Sequence, residues 1–285
     1  MSLPPDTSSG AVRLVVADLV RVADFYRDTL GLTEVDRAGD LARLGVTPGH
    51  PLVELVGRPD APARSPRDTG LFHLAVLVPS RAELARAVQR VAGADWRFTG
   101  ASDHLVSEAL YLNDPEGNGI EIYRDRPREE WQYRNGELQM ATIPLDLDGV
   151  MAELPDGSAN GAGMPAGTRI GHVHLQVADI GPAEEFYEHG LGFDVVVRSY
   201  PGALFVSAGG YHHHIGMNTW NSAGGSVPPP GTRGLDRFQV LLPDSGAVAR
   251  ESERLEAEGA HVEEADGGLL VTDPSGNRVL LSAAS

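Results

Sequence analysis

Val12-Arg-Leu-Val-Val-Ala-Asp18 returns 161 positions later as Val173-His-Leu-Gln-Val-Ala-Asp179, and Phe25-Tyr26 and Leu30-Gly31 return in step as Phe186-Tyr187 and Leu191-Gly192. A second pair, Asp114-Pro-Glu-Gly-Asn118 and Asp273-Pro-Ser-Gly-Asn277, repeats at a spacing of 159; each is a turn signal ahead of a short apolar strand. An internal repeat is read before any local pattern because it sets the architecture. The chain is two homologous halves, each with its own beginning and end.

Each half is doubled again. The first module opens on the alternating strand Val12–Val16, continues in a helix near Val20–Leu30 that Gly31 stops, and ends in Leu52-Val-Glu-Leu-Val56. The second opens on Leu71-Phe-His-Leu-Ala-Val-Leu-Val78, starts its helix at Ser80-Arg-Ala-Glu83 with the spacing of a capping box, and closes on Gly119-Ile-Glu-Ile-Tyr123. A third runs from Ile170 to about Thr219, and a fourth from about Leu235 to Leu281, with a helix near Ala247–Glu258 stopped by Gly259. The fold class is α+β: four βαβββ modules in two homologous domains. Domain bounds of 8–125 and 169–285 follow, with 126–168 as a flexible connection that includes Asp156-Gly-Ser-Ala-Asn-Gly-Ala-Gly163 and a short helix within Pro144–Leu154.

Composition narrows the chemistry. The 285 residues hold ten His and no Cys, which removes disulfides, thiolate nucleophiles and sulfur-ligated metals. Any metal is therefore held by His and oxygen ligands. A formal charge of −17, on a chain whose basic residues are all Arg, argues against nucleic acid as a partner. No apolar stretch approaches the roughly 20 residues of a membrane helix, and the first residues lack a leader pattern, so the expected setting is the cytoplasm.

His50, His189 and His261 fall in loops or helix ends and read as surface residues. His73 opens the first strand of module two and His172 the first strand of module three, each five residues before the Val that ends it. Glu121 sits between Ile120 and Ile122 in the last strand of module two; taken alone, it is a solvent-facing residue of a half-exposed strand. Two imidazoles at equivalent positions of a repeat, with one carboxylate, are the ligand set that holds non-haem Fe(II) with open positions. His174 lies on the face of His172 and is either exposed or behind the site. In the run His212–His214, strand alternation would turn at least one ring inward and at least one away.

These features resemble the vicinal oxygen chelate superfamily (the glyoxalase/bleomycin-resistance/extradiol dioxygenase fold). The whole chain is similar to its two-domain extradiol ring-cleaving dioxygenases of the catechol 2,3-dioxygenase type. The stretch from Asp103 to Glu121 carries the likeness furthest: a His, a Tyr and a ligand Glu around an Asp-Pro-x-Gly-Asn turn map onto His104, Tyr111 and Glu121. Gly209-Gly-Tyr-His-His-His-Ile-Gly216 resembles the family's strand with an acid/base His, giving His213 first and His214 second. The resemblance implies O2-dependent opening of an aromatic diol on Fe(II), with Mn(II) as the second metal, and a homodimer. It also implies two rival functions on the same fold, a glyoxalase-like isomerase or lyase and a non-catalytic protein that binds small aromatic compounds.

One departure redirects the metal. Members of this type place it wholly in the second domain, but Arg237 and Leu280 occupy the module-four ligand positions here, while module one offers Ala11 and Glu54. Two arrangements remain. Modules two and three supply His73, Glu121 and His172, which is the favoured set, or modules one and two supply His73, Glu121 and Glu54.

Overall fold

The computed structural model describes residues 2–154, 163–257 and 259–284. It divides into two compact units, one of Leu14–Ala61 and His73–Ile170 and the other of Met1–Arg13, Pro62–Phe72 and Gly171–Ser285. They are called the N-terminal and C-terminal units below.

Module one consists of β1 (Ser8–Val16), α1 (Leu19–Asp24), β2 (Thr33–Ala38), β3 (Leu41–Thr47) and β4 (His50–Gly57), in the sheet order β1-β4-β3-β2. Module two repeats the plan with β5 (Gly70–Leu77), α2 (Arg81–Gly93), β6 (Phe98–Asp103), β7 (Ser107–Asn113) and β8 (Gly119–Asp125), ordered β5-β8-β7-β6. The segment expected as a mere connection is partly built. It carries a hairpin of β9 (Tyr133–Arg134) and β10 (Glu137–Leu138), a strand β11 (Ile143–Pro144) on the edge of β6, and a helix α3 (Leu147–Met151) within the stretch expected to be helical. Residues 156–162 of its Gly-rich run lie outside the described residues.

The second half of the chain repeats the plan twice more. Module three is β12 (Arg169–Gln176), α4 (Ile180–Glu184), β13 (Asp194–Val197), β14 (Ala203–Ser207) and β15 (Ile215–Asn218), in the order β12-β15-β14-β13. Module four is β16 (Gly234–Leu242), α5 (Ser245–Ala257), β17 (Glu263–Ala265), β18 (Gly268–Thr272) and β19 (Arg278–Ala283), in the order β16-β19-β18-β17. Among the described residues, no helix is long and apolar enough to cross a membrane.

The local signals act as their chemistry requires. Ser80 Oγ accepts from the Glu83 amide at 3.3 Å and starts α2. Helix α1 passes into a π-helical turn at Phe25–Thr29, and α4 does the same at Glu185–Gly190, so the repeat extends to an irregularity of the backbone. Gly31 follows at φ 85°, where a Cβ would meet Arg90 Nε at 2.8 Å.

The repeated Asp-Pro-x-Gly-Asn turn is a buried carboxylate staple. Asp273 Oδ1 accepts from the amides of Ser275 and Asn277, both at 2.8 Å, and its Oδ2 accepts from Asn277 Nδ2 at 2.9 Å. Asp114 does the same for Glu116, Asn118 and Asn118 Nδ2 at 2.8, 2.9 and 2.7 Å. The third residue of each turn reaches the paired module. The Glu116 carboxylate accepts from the amides of Ala17 and Asp18 at 2.9 and 2.7 Å, and Ser275 Oγ accepts from Ala178 at 3.0 Å. Tyr187, in the π-helical turn of module three, donates to Asp273 Oδ2 at 3.1 Å.

Burial pushes both Asp carboxyls above their ordinary range in spite of these bonds. A raised folded-state value makes the folded state bind more protons than the unfolded one just above the ordinary Asp range, so this contribution is complete at low pH and is lost as pH rises through the raised value. Asp273→Ala leaves buried amide donors unmet and is expected to lower stability by about 3 kcal/mol in denaturant titration. Asp273→Asn should also flatten the dependence of stability on pH in that window.

Candidate active site

In the N-terminal unit the site is assembled by two strand pairings. β5 and β8 run parallel with Ala75 opposite Glu121, so His73, two residues earlier on the same face, reaches the carboxylate. His73 Nε2 lies 2.9 Å from Glu121 Oε2, and the two residues are 6% and 3% exposed. The solvent-facing reading of Glu121 therefore does not hold. β7 and β8 pair antiparallel with Tyr111 opposite Glu121, and the Tyr111 ring centroid lies 5.6 Å from that of His73.

His104 stands in the turn between β6 and β7. Its Nε2 lies 2.6 Å from Tyr111 Oη, and its Nδ1 lies 2.7 Å from the Ala141 carbonyl oxygen. Leu105 beside it adopts φ 70°, a left-handed conformation unfavourable to a branched residue. The turn is held by the His104 amide donating to Ser107 O at 2.8 Å and by Asp103 Oδ1 accepting from the Leu105 amide at 2.8 Å. Burial acts to raise the Asp103 carboxyl, but its bonds to Arg126 at 2.6 Å and to Leu105 outweigh this and hold it below the usual range.

Behind the sheet, the buried Glu108 is bonded by Arg81 Nε at 2.9 Å, Arg124 Nε at 2.7 Å and Arg126 at 3.2 Å. Sequence reading assigned Glu108 no role. A single Glu in a strand gives no sign of partners drawn from a helix start and a neighbouring strand.

In the C-terminal unit His172 is 1% exposed, at the start of β12. The ring of His213 lies 4.0 Å from it between centroids, and that of His212 6.0 Å. His212 Nδ1 and His213 Nδ1 are 2.7 Å apart, so one donates to the other. The premise of strand alternation does not apply to the run His212–His214. His212, His213 and His214 precede β15 in irregular backbone, where alternation does not operate, and all are buried, at 0%, 5% and 7% exposed. His214 Nδ1 accepts from the Ala208 amide at 3.2 Å, tying that ring to its own loop.

His174 is buried, with the rings of Phe72, Trp220 and Phe205 at 5.2, 5.5 and 5.7 Å. The register explains its place. Gly216 pairs with His174 on one side and Phe205 on the other, so it stands in module three where Glu121 stands in module two. Module three thus has His172 but no carboxylate facing it, and the His174 ring occupies the space of the missing side chain.

The departures read from sequence have structural partners. Arg237 is ion-paired with Asp266, which also meets Arg13 at 3.3 Å, and Glu54 is bonded by Arg43 at 2.9 Å. The alternative ligand Glu54 is engaged by a guanidinium. A Cβ on Gly216 would lie 3.0 Å from His174 Nδ1, so Gly216→Ala must displace that ring. Thermal unfolding of this variant should show a loss of about 1–3 kcal/mol.

The sequence model of the Glyoxalase/Bleomycin resistance protein/Dioxygenase superfamily matches residues 9–122 and 169–281. The chain is 41% identical over 279 residues to a catechol-2,3-dioxygenase of Bacillus subtilis (strain 168), covering 96% of each chain. It is 29% identical over 124 residues to a biphenyl-2,3-diol 1,2-dioxygenase of Rhodococcus globerulus, covering 42% of this chain and 65% of that one. Among solved structures, glyoxalase I of Zea mays matches with a TM-score of 0.58 and 16% identity, over 97% of this chain and 93% of that one, a likeness of fold.

Proposed function

The chain belongs to the Glyoxalase/Bleomycin resistance protein/Dioxygenase superfamily, and we propose that within it the protein is an extradiol dioxygenase, opening an aromatic ring beside a vicinal diol with O2. One observation carries the activity: the identity to the Bacillus subtilis catechol-2,3-dioxygenase runs through both units and takes in the segment from His73 to Glu121. Catechol is accordingly the first substrate to test, with substituted catechols after it. Included in the proposal are a cytoplasmic setting and, through exposed edge strands such as β2, a homodimer.

The proposed metal ligands are His73, Glu121 and His172, and Fe(II) is the proposed ion, with Mn(II) second. The donor chemistry supports this. Two buried imidazoles and one buried carboxylate are nitrogen and oxygen donors, which without thiolate suit a divalent first-row metal. When bound, such an ion supplies positions for both diol oxygens and for O2, and lowers the pKa of the phenol it holds.

The protein's own groups then divide the remaining work. His213, its ring 4.0 Å from that of His172 and tilted against it, is the proposed base that takes a proton from the diol, a task suited to an imidazole. Tyr111, against His73 and opposite Glu121, is the proposed hydrogen-bonding group for the reacting oxygens, with His104 acting through it. His214 is the second candidate after His213. The Phe205 ring lies 5.0 Å from that of His213 between centroids, an apolar neighbour for this imidazole.

Anaerobic reconstitution with Fe(II), followed by air and a panel of catechols, should give a yellow ring-fission product and O2 uptake; neither with any diol would sink the activity. Metal analysis tests the ligands. His73→Ala, Glu121→Ala and His172→Ala should each lose stoichiometric metal, whereas Glu54→Gln should keep it. Retention by His172→Ala with loss by Glu54→Gln would transfer the third ligand to Glu54. Tyr111→Phe should keep its metal and lower kcat by about 100-fold.

A further inference from the structure

The connecting segment after β8 reaches into the site through one carbonyl group. His104 Nδ1 lies 2.7 Å from Ala141 O, with Thr142 Oγ1 at 3.4 Å. A carbonyl oxygen has no proton to give, so Nδ1 carries the hydrogen of this bond. In a neutral imidazole Nε2 is then an acceptor. Its partner at 2.6 Å is Tyr111 Oη, so the phenol donates, and its oxygen is left to present lone pairs on its other side.

The carbonyl is held where it can do this. β11 pairs with the edge of β6, Ile143 opposite Asp103 and Pro144 opposite Ser102, which brackets the His104 turn. The Ala141 amide points back to His104 O at 3.4 Å, so residues 104 and 141 meet through backbone and side chain together. From the other side the turn is fixed by the left-handed Leu105 and the Asp103–Arg126 ion pair. Ile143 and Pro144 are exposed and contribute little to a core, so their ordered pairing is not explained by burial.

We propose that Ala141–Pro144 is a positioning element for the reaction: the Ala141 carbonyl selects the Nδ1–H tautomer of His104, and that tautomer sets the direction of the Tyr111 hydroxyl. His104 is a positioning residue, and Tyr111 is the group that meets the reacting oxygens. The link to catalysis rests on the dioxygenase reading; the tautomer does not.

The test uses the full-length chain loaded with Zn(II), a diamagnetic probe, and labelled with 15N in its His rings. Long-range 1H–15N correlation at mildly alkaline pH reads the tautomer, with His104 assigned by its absence in His104→Gln. His104 should show a protonated Nδ1 and a bare Nε2, and Tyr111→Phe should leave this unchanged. Replacing the strand (Thr142→Gly, Ile143→Ser, Pro144→Gly) should mix the tautomers. In the Fe(II) enzyme it should lower kcat about ten- to a hundredfold with KM and metal content unchanged. Three results would overturn the proposal: a protonated Nε2 in the wild type, an unmixed tautomer in the strand variant, or mixed tautomers with an unchanged kcat. Failure of the wild type to turn over any diol counts against the dioxygenase reading alone, since the two spectroscopic arms still decide the tautomer.

Discussion

The parallel pairing of the first and last strands of a module is the constraint on which the site depends. It joins β5 to β8, β12 to β15 and β16 to β19. The register is common to them: Ala75 faces Glu121, His174 faces Gly216 and Gln239 faces Leu280. A residue two places before the first of each pair and the residue facing it are therefore neighbours wherever the module occurs. Module two places His73 and Glu121 there, module three His172 and Gly216, and module four Arg237 and Leu280. The backbone frame is constant, and which side chains fill two positions decides whether it holds a His–carboxylate pair, a lone His, or an Arg ion-paired to Asp266.

Electrostatics explain how a strongly acidic chain keeps that frame rigid. Its buried carboxylates are each met by specific donors: Glu108 by Arg81, Arg124 and Arg126, and Asp114 and Asp273 by turn amides. Removing one partner from such a set leaves an uncompensated buried charge, which is far more costly than an exposed pair is worth. Arg126 bridges Glu108 behind the sheet to Asp103 in the turn that carries His104, so the support of the sheet and the placement of the site share a guanidinium.

Much of this was legible in the sequence, for identifiable reasons. Repetition exposes the four modules and the equivalence of His73 with His172, and the Ser80 and Gly31 signals are local. What could not be read depends on contacts without a sequence signature. Ala141 acts through a backbone carbonyl that any residue has. The burial of all of His212–His214 goes with irregular backbone ahead of β15, which a His run does not announce. The burial of His174 follows from Gly216, some forty residues later, giving up its side chain. The Asp-Pro-x-Gly-Asn motif reads as a turn in sequence, but its carboxylate also binds a Tyr hydroxyl from the partner module at Asp273, and only packing reveals that.

The staple also has a consequence for the order in which the chain assembles. Strands β18 and β19 flank the Asp273 turn and pair with each other at short range, and β7 and β8 do the same around Asp114. Such hairpins close small loops, whereas the pairing of β5 with β8 or β16 with β19 must close a loop of some forty residues. Loop-closure entropy therefore leads to the expectation that the local hairpin forms ahead of the long-range partner and that the first strand docks onto its edge. His73 and Glu121 meet through the long-range pairing, so their contact is expected late in folding, after the turn at Asp114 is complete.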